Sequence, residues 1–136
     1  MLALLLWFMT INTGTELHLS LSNIRDLKGS IYIAVYDNEL DFLNPDKIRD
    51  KKIVAVSNLG TMDLVFQHLP AGHYAISCFH DVNGNGKLDT NLLGIPTEPY
   101  GFSNNARPKF RAPNWGETKF DLLNGTTTQA IRLEKW

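Results

Sequence analysis

The sequence has one cysteine, Cys78, so no internal disulfide can hold the chain together. Cys78 lies mid-strand among apolar residues, where a buried, inert thiol is expected rather than a nucleophile. Neither charge is in excess: a formal net charge of −1 gives no electrostatic reason to expect nucleic acid or an anionic membrane as a bulk partner. There is no apolar stretch of the roughly 20 residues that cross a bilayer as a helix. Gly-x-Ser-x-Gly, His-Glu-x-x-His and a phosphate-cradling glycine loop are all missing, so no familiar catalytic motif is present. No amphipathic helix of any length can be read, and neither internal repeats nor low-complexity tracts occur. What remains is a chain of 136 residues, 43% hydrophobic and 20% charged, the size and balance of one globular domain.

The most distinctive stretch begins where a hydrophobic strand ends. Asp81, Asn83, Asn85 and Asp89 carry side-chain oxygens at the first, third, fifth and ninth places of a calcium-type loop, and Gly86 takes the sixth. Lys87 falls at the seventh place, where only the backbone carbonyl coordinates, and Leu88 at the eighth, where an apolar residue anchors the loop. A hard divalent ion takes six to eight oxygens, and these positions offer about five before water is counted. The twelfth place, which carries a bidentate Glu in a helical calcium hand, is Leu92. Any further ligand must therefore come from elsewhere, with Glu98 the nearest free carboxylate and Asp121 a more distant one. Asn, Asp and Gly also build metal-free turns, which is the structural alternative.

Around this loop the chain reads as short strands. Glu16 to Asn23 alternates, with Leu17, Leu19 and Leu21 on one face. Ser30 to Asp37 is apolar on both faces and is expected to be central, and Phe42 with Leu43 forms an apolar plug after it. Lys52 to Ser57 and Met62 to Leu69 are expected to pair through the turn at 58–61. His73 to His80 has no clearly polar face and is the best candidate for the innermost strand. Thr118 to Leu123 and Thr126 to Leu133 are expected to form a hairpin across Asn124-Gly125, with Phe120 and Leu122 facing Ile131 and Leu133. About seven strands and no long helix predict an all-β, single-domain antiparallel β-sandwich, immunoglobulin-like or transthyretin-like, with one long loop from Asp81 to Asn114.

The second half of that loop gathers Glu98, Tyr100, Phe102, Asn104 and Arg107. Flat rings with polar groups suit a glycan or peptide site, although aromatics more often supply burial. His80, Asp81, Glu98 and Arg107 have the chemistry for acid–base work, but no site is assembled from sequence, and His80 fits a core-edge residue bonded to loop backbone. Residues 1–9, Met-Leu-Ala-Leu-Leu-Leu-Trp-Phe-Met, read as the apolar core of a secretory signal without a preceding Lys or Arg. This places a signal segment or its remnant over residues 1–15, the domain over 16–136, and the mature protein, without a transmembrane segment, in the periplasm or outside the cell. Weak calcium sites fill there, where the ion is millimolar.

Three segments together resemble one family: Leu-Pro-Ala-Gly-His-Tyr-Ala-Ile at 69–76, His-Asp-Val-Asn-Gly-Asn-Gly-Lys-Leu-Asp-Thr-Asn at 80–91, and Gly-Ile-Pro-Thr-Glu-Pro-Tyr-Gly-Phe-Ser-Asn-Asn at 94–105. They closely resemble the bacterial domain of unknown function 2141, and the resemblance covers nearly the whole chain after residue 15. It implies an exported β-sandwich from a Gram-negative bacterium and no named activity. Asn105 to Phe110 is followed by Ala112-Pro113-Asn114-Trp115, which keeps the family's turn-and-aromatic pattern only approximately. The expectation is an exported binding or structural module whose loop folds around Ca2+. The alternatives are a metal-free structural domain and a glycan- or peptide-binding module using the 98–107 surface.

Overall fold

A computed structural model describes residues 14–136; the apolar run at 1–9 lies outside the described residues. Among the described residues, eight strands form two packed sheets. β1 (Thr15–Ile24) lies between β4 (Gly60–Gln67) and β8 (Gly125–Arg132) in one sheet. The other has the order β3 (Asp50–Ala55), β2 (Ser30–Tyr36), β5 (Gly72–Asp81), β6 (Tyr100–Phe102), with β7 (Phe120–Leu122) also pairing with β5. The all-β sandwich expected from the alternation is therefore the fold.

Alternation explains the core directly. Leu17, Leu19 and Leu21 of β1 are buried, and Ile31, Ile33 and Val35 of β2 meet them in one apolar cluster with Phe66, Ile76, Leu122 and Ile131. Each fully buried side chain of this kind contributes about 1.5–3 kcal/mol relative to exposure. β2 and β5 are central, each hydrogen-bonded on more than one side. The outer face of this sheet is partly covered as well: the rings of Tyr32 and Phe79 stack at 5.0 Å, and Phe42 packs edge-on against Tyr36 and Trp115. The Phe42 plug thus has a concrete partner on each side.

Two expected hairpins are not hairpins. β3 pairs with β2 while β4 pairs with β1, so the segment 56–59 crosses from one sheet to the other. Val56 is buried at this crossing, and its N–H donates to the Gly29 carbonyl at 3.1 Å. Likewise β7 pairs with β5 while β8 joins β1, so Asn124-Gly125 also links the two sheets. The pairing of β1 with β8 is parallel, a departure from the all-antiparallel expectation. Side-chain alternation specifies which face is buried but not which strand lies alongside, and a crossing turn uses the same Asn and Gly as a hairpin. Phe120, Leu122, Ile131 and Leu133 do share the core, contributed from opposite sheets.

The long loop is also shorter than the sequence suggests, because β6 interrupts it by pairing with Ser77 to Phe79 of β5. Ser103 secures the next stretch: its hydroxyl accepts from the Ile76 N–H at 2.9 Å and donates to the Thr118 carbonyl at 2.5 Å. Thr118 closes the four-residue helix α1 (Trp115–Thr118), which Asn114 caps by accepting the Glu117 N–H at 3.0 Å.

Candidate metal loop and its surroundings

β5 carries the site at its end. His80 and Asp81 are both buried, because β5 continues to pair with β2 up to the Ser30–Asp81 position. The His80 Nε2–H donates to the Lys28 carbonyl at 2.6 Å, which makes His80 a core-edge residue bonded to loop backbone. The turn before β2 packs closely here: a Cβ on Gly29, whose φ is +70°, would lie 1.9 Å from the Asp81 carbonyl oxygen. Only glycine permits that approach.

From this anchored start the loop folds around its own polar side chains. The Asp81 carboxylate accepts the N–H of Gly86 at 2.8 Å and of Asn85 at 3.2 Å. Gly84 and Gly86 take positive φ values of 72° and 78°, which brings the chain back over Asp81. The Asn83 and Asn85 amides then converge on Asp89, their Nδ2 atoms 2.5 and 2.6 Å from its two carboxylate oxygens. Glu98, buried although charged, closes the far side by accepting the N–H of Val82 at 2.7 Å and of Asp89 at 3.1 Å. Five polar side chains, those of Asp81, Asn83, Asn85, Asp89 and Glu98, thus enclose one short loop. The Lys87 side chain is exposed, and Leu92 points fully into solvent.

The donor set can be weighed for a hard cation. Among the described residues, no three His, Cys, Asp or Glu side chains gather into a metal-holding group. The oxygen donors here are mixed, with two amides facing one carboxylate. A half-turn of each amide about its Cβ–Cγ bond presents Oδ1 to the space beside Asp89 in place of the NH2. Each rotation gives up the amide's donation to Asp89 and one turn bond, the one Asn83 Oδ1 accepts from the Asn85 N–H at 3.3 Å or Asn85 Oδ1 accepts from the Lys87 N–H at 3.0 Å. Of the two proposed sources of a further ligand, Glu98 is at the loop. Asp121 is remote, at the opposite end of β5, where it pairs with His73 at 2.5 Å.

Hydrogen bonds from the Asn85 and Asn83 amides hold the Asp89 carboxyl below the usual carboxylate range. A depressed carboxyl contributes stability that is present above its unfolded value, near 4, and is lost as pH falls through the lower folded value. Lowering the pH from 5 to 3 should therefore loosen the loop more in the wild type than in Asp89→Asn. The rate of amide exchange across residues 82–89 measures it, and equal acid sensitivity in the two proteins would contradict the assignment.

The residues expected to form a second, ligand-binding surface are divided by the structure. Glu98 belongs to the polar loop, where it accepts the N–H groups of Val82 and Asp89. Asn104 is a structural bracket whose amide donates to the Lys119 carbonyl at 2.9 Å while its backbone N–H donates to Gln129 at 3.1 Å. Arg107 lies over the Tyr100 ring at 4.2 Å and donates to the carbonyls of Tyr100 and Glu134 at 2.7 and 2.8 Å. Its guanidinium ties β6 to the end of the chain. Tyr100 and Phe102, both half-buried with ring centroids 6.0 Å apart, line an apolar groove. Cys78 is buried against the Gly101 carbonyl, and desolvation pushes its thiol up to about 12, so it is chemically inert.

The sequence reading missed the device at the loop's outer end. Asn91 folds residues 89–97 into a small hairpin: its Oδ1 accepts the N–H of Leu93 at 2.9 Å and of Ile95 at 3.1 Å, and its own N–H donates to the Ile95 carbonyl at 2.8 Å. The Thr97 N–H closes the base on the Asp89 carbonyl at 2.8 Å. The signal was an Asn three residues before Gly94, which has a φ of 77°.

These features define a two-sheet β-sandwich with a polar loop built onto the end of its central strand. The chain belongs to the family DUF2141, uncharacterized proteins conserved in bacteria, whose pattern matches residues 19–130. No curated protein and no solved structure matches it. Among the described residues no helix is long and apolar enough to cross a membrane.

Proposed function

We propose that this protein is an exported binding or structural module in which residues 81–98 close around a calcium ion. Asp81, Asn83, Asn85 and Asp89 supply side-chain oxygens and Lys87 its carbonyl, with Glu98 fixing the far wall. The observation that carries the reading is the convergence of the Asn83 and Asn85 amides on Asp89, at 2.5 and 2.6 Å, from the third, fifth and ninth places of a calcium spacing. The periplasm or the cell exterior is the compartment we assign, because the apolar run at 1–9 has the composition of a secretory signal and a loop with so few carboxylates binds weakly.

An ion that binds only the folded loop stabilises the protein by mass action, by about 2.7 kcal/mol at a hundred times its dissociation constant. Calcium should therefore raise the melting midpoint of the chelator-treated protein, and Asp89→Ala should abolish the rise. The competing reading is a metal-free structural loop, favoured by the backbone N–H groups that already satisfy Asp81 and Glu98. A midpoint indifferent to calcium and to chelator would select it.

A further inference from the structure

We infer that a face of this protein beside the polar loop docks on a lipid surface bearing anionic headgroups. Among the exposed large apolar side chains of the described residues, Leu92, Leu93, Phe110 and Trp136 are 105, 82, 85 and 52% exposed. Three of them are neighbours: Leu93, Phe110 and Trp136 line the same groove of about 510 Å³, and the rings of Phe110 and Trp136 meet edge-on at 5.6 Å. Leu92 stands next to Leu93 on the tip of the 89–97 hairpin, which Asn91 and Thr97 hold in shape by the bonds already described. A soluble surface seldom places protruding aliphatic and aromatic side chains together in this way without a partner for them.

Two features select a lipid surface over a sugar or a second globular partner. The polar groups that would orient a sugar are already committed, Arg107 to three carbonyls and Asn104 to the backbone of residues 117 and 119. Beside the apolar groove, Lys109 and Lys135 line an adjoining hollow shared with Phe110 and Trp136, and among the described residues neither lysine has an ion-pair partner. Nearby Glu134 is held by Arg132 at 2.6 Å and does not neutralise them. Exposed apolar side chains flanked by such lysines, with a tryptophan beside them, are the composition that partitions into an anionic interface. The net charge of −1 conceals this local arrangement. The proposal does not depend on the calcium reading, since the hairpin is closed by its own hydrogen bonds.

The test is sedimentation of the full chain with phosphatidylcholine vesicles, with and without phosphatidylglycerol, each in calcium and in chelator. Binding is expected to the phosphatidylglycerol vesicles under both ionic conditions, and a double substitution, Leu92→Asp with Leu93→Asp, should weaken it at least about tenfold. Lys109→Glu with Lys135→Glu should weaken it in the same sense. Leu40→Asp, at another exposed leucine, should not. The apolar run at 1–9 is common to every variant, so it cannot produce these differences. Of the three tryptophans, Trp136 should give the blue-shifted emission, lost in Trp136→Phe. Unchanged binding in the Leu92/Leu93 variant, or equal binding to neutral vesicles, would overturn the inference. So would a Leu92/Leu93 variant that dissociates a dimer but binds vesicles normally, which would assign the face to a second copy of the chain.

Discussion

Gly29→Ala should lower the unfolding free energy by roughly 3 kcal/mol or more. The added Cβ would lie 1.9 Å from the Asp81 carbonyl oxygen and 3.0 Å from the Val82 Cα, both backbone atoms that cannot rotate aside. Relief would require the turn at 26–29 to separate from the end of β5, which breaks the His80–Lys28 bond and releases the start of the polar loop. Gly84→Ala provides the control. Its φ of +72° nearly equals the +70° of Gly29, but nothing lies within 4 Å of the added carbon. That change should cost about 1 kcal/mol, from backbone conformation alone. Denaturant midpoints at constant slope compare the two, and equal losses would show that the close approach at Asp81 does not matter.

Glu98→Ala is expected to cost roughly 3 kcal/mol, because each hydrogen bond to a charged group contributes about 1.5–3 kcal/mol and two are lost together. This carboxylate holds the N–H groups of Val82 and Asp89, seven positions apart along the chain, on one buried side chain. Removing it leaves both donors without a protein acceptor and opens the loop where the Asn83, Asn85 and Asp89 side chains meet. Glu98→Gln retains one acceptor oxygen and should fall between the wild type and alanine. Hydrogen exchange at Val82 and Asp89 gives the site-specific readout: protection should disappear in the alanine variant. If protection persists while stability falls, Glu98 acts on the core rather than on the loop.

The core was legible because the alternation of Leu17, Leu19 and Leu21, or of Ile31, Ile33 and Val35, has a period that only a half-buried strand produces. Part of the loop was legible for a related reason, since Asn83 and Asn85, two places apart, both reach Asp89. Strand partners were not. Asn124-Gly125 has the composition of a hairpin, but β5 offers β7 an edge while β1 offers β8 another, and neither edge is visible from the turn itself. The roles of Asn104 and Arg107 were hidden similarly. Their polar groups suit a ligand, and only the positions of the carbonyls at 100, 119 and 134 show that the fold has used them. Gly29 drew no notice because its neighbour, Asp81, is supplied by a distant strand.

The parallel alignment of β1 with β8 brings together segments about 110 residues apart. Folding therefore cannot be completed piece by piece from the N-terminal side: β1 keeps one open edge until the last strand arrives. Large loop closure precedes that contact, which makes sealing of the first sheet intrinsically slow compared with formation of the neighbouring antiparallel pairs. Until then the half-built sheet presents unpaired backbone that another chain can occupy, so crowding during synthesis favours strand exchange between molecules at this seam.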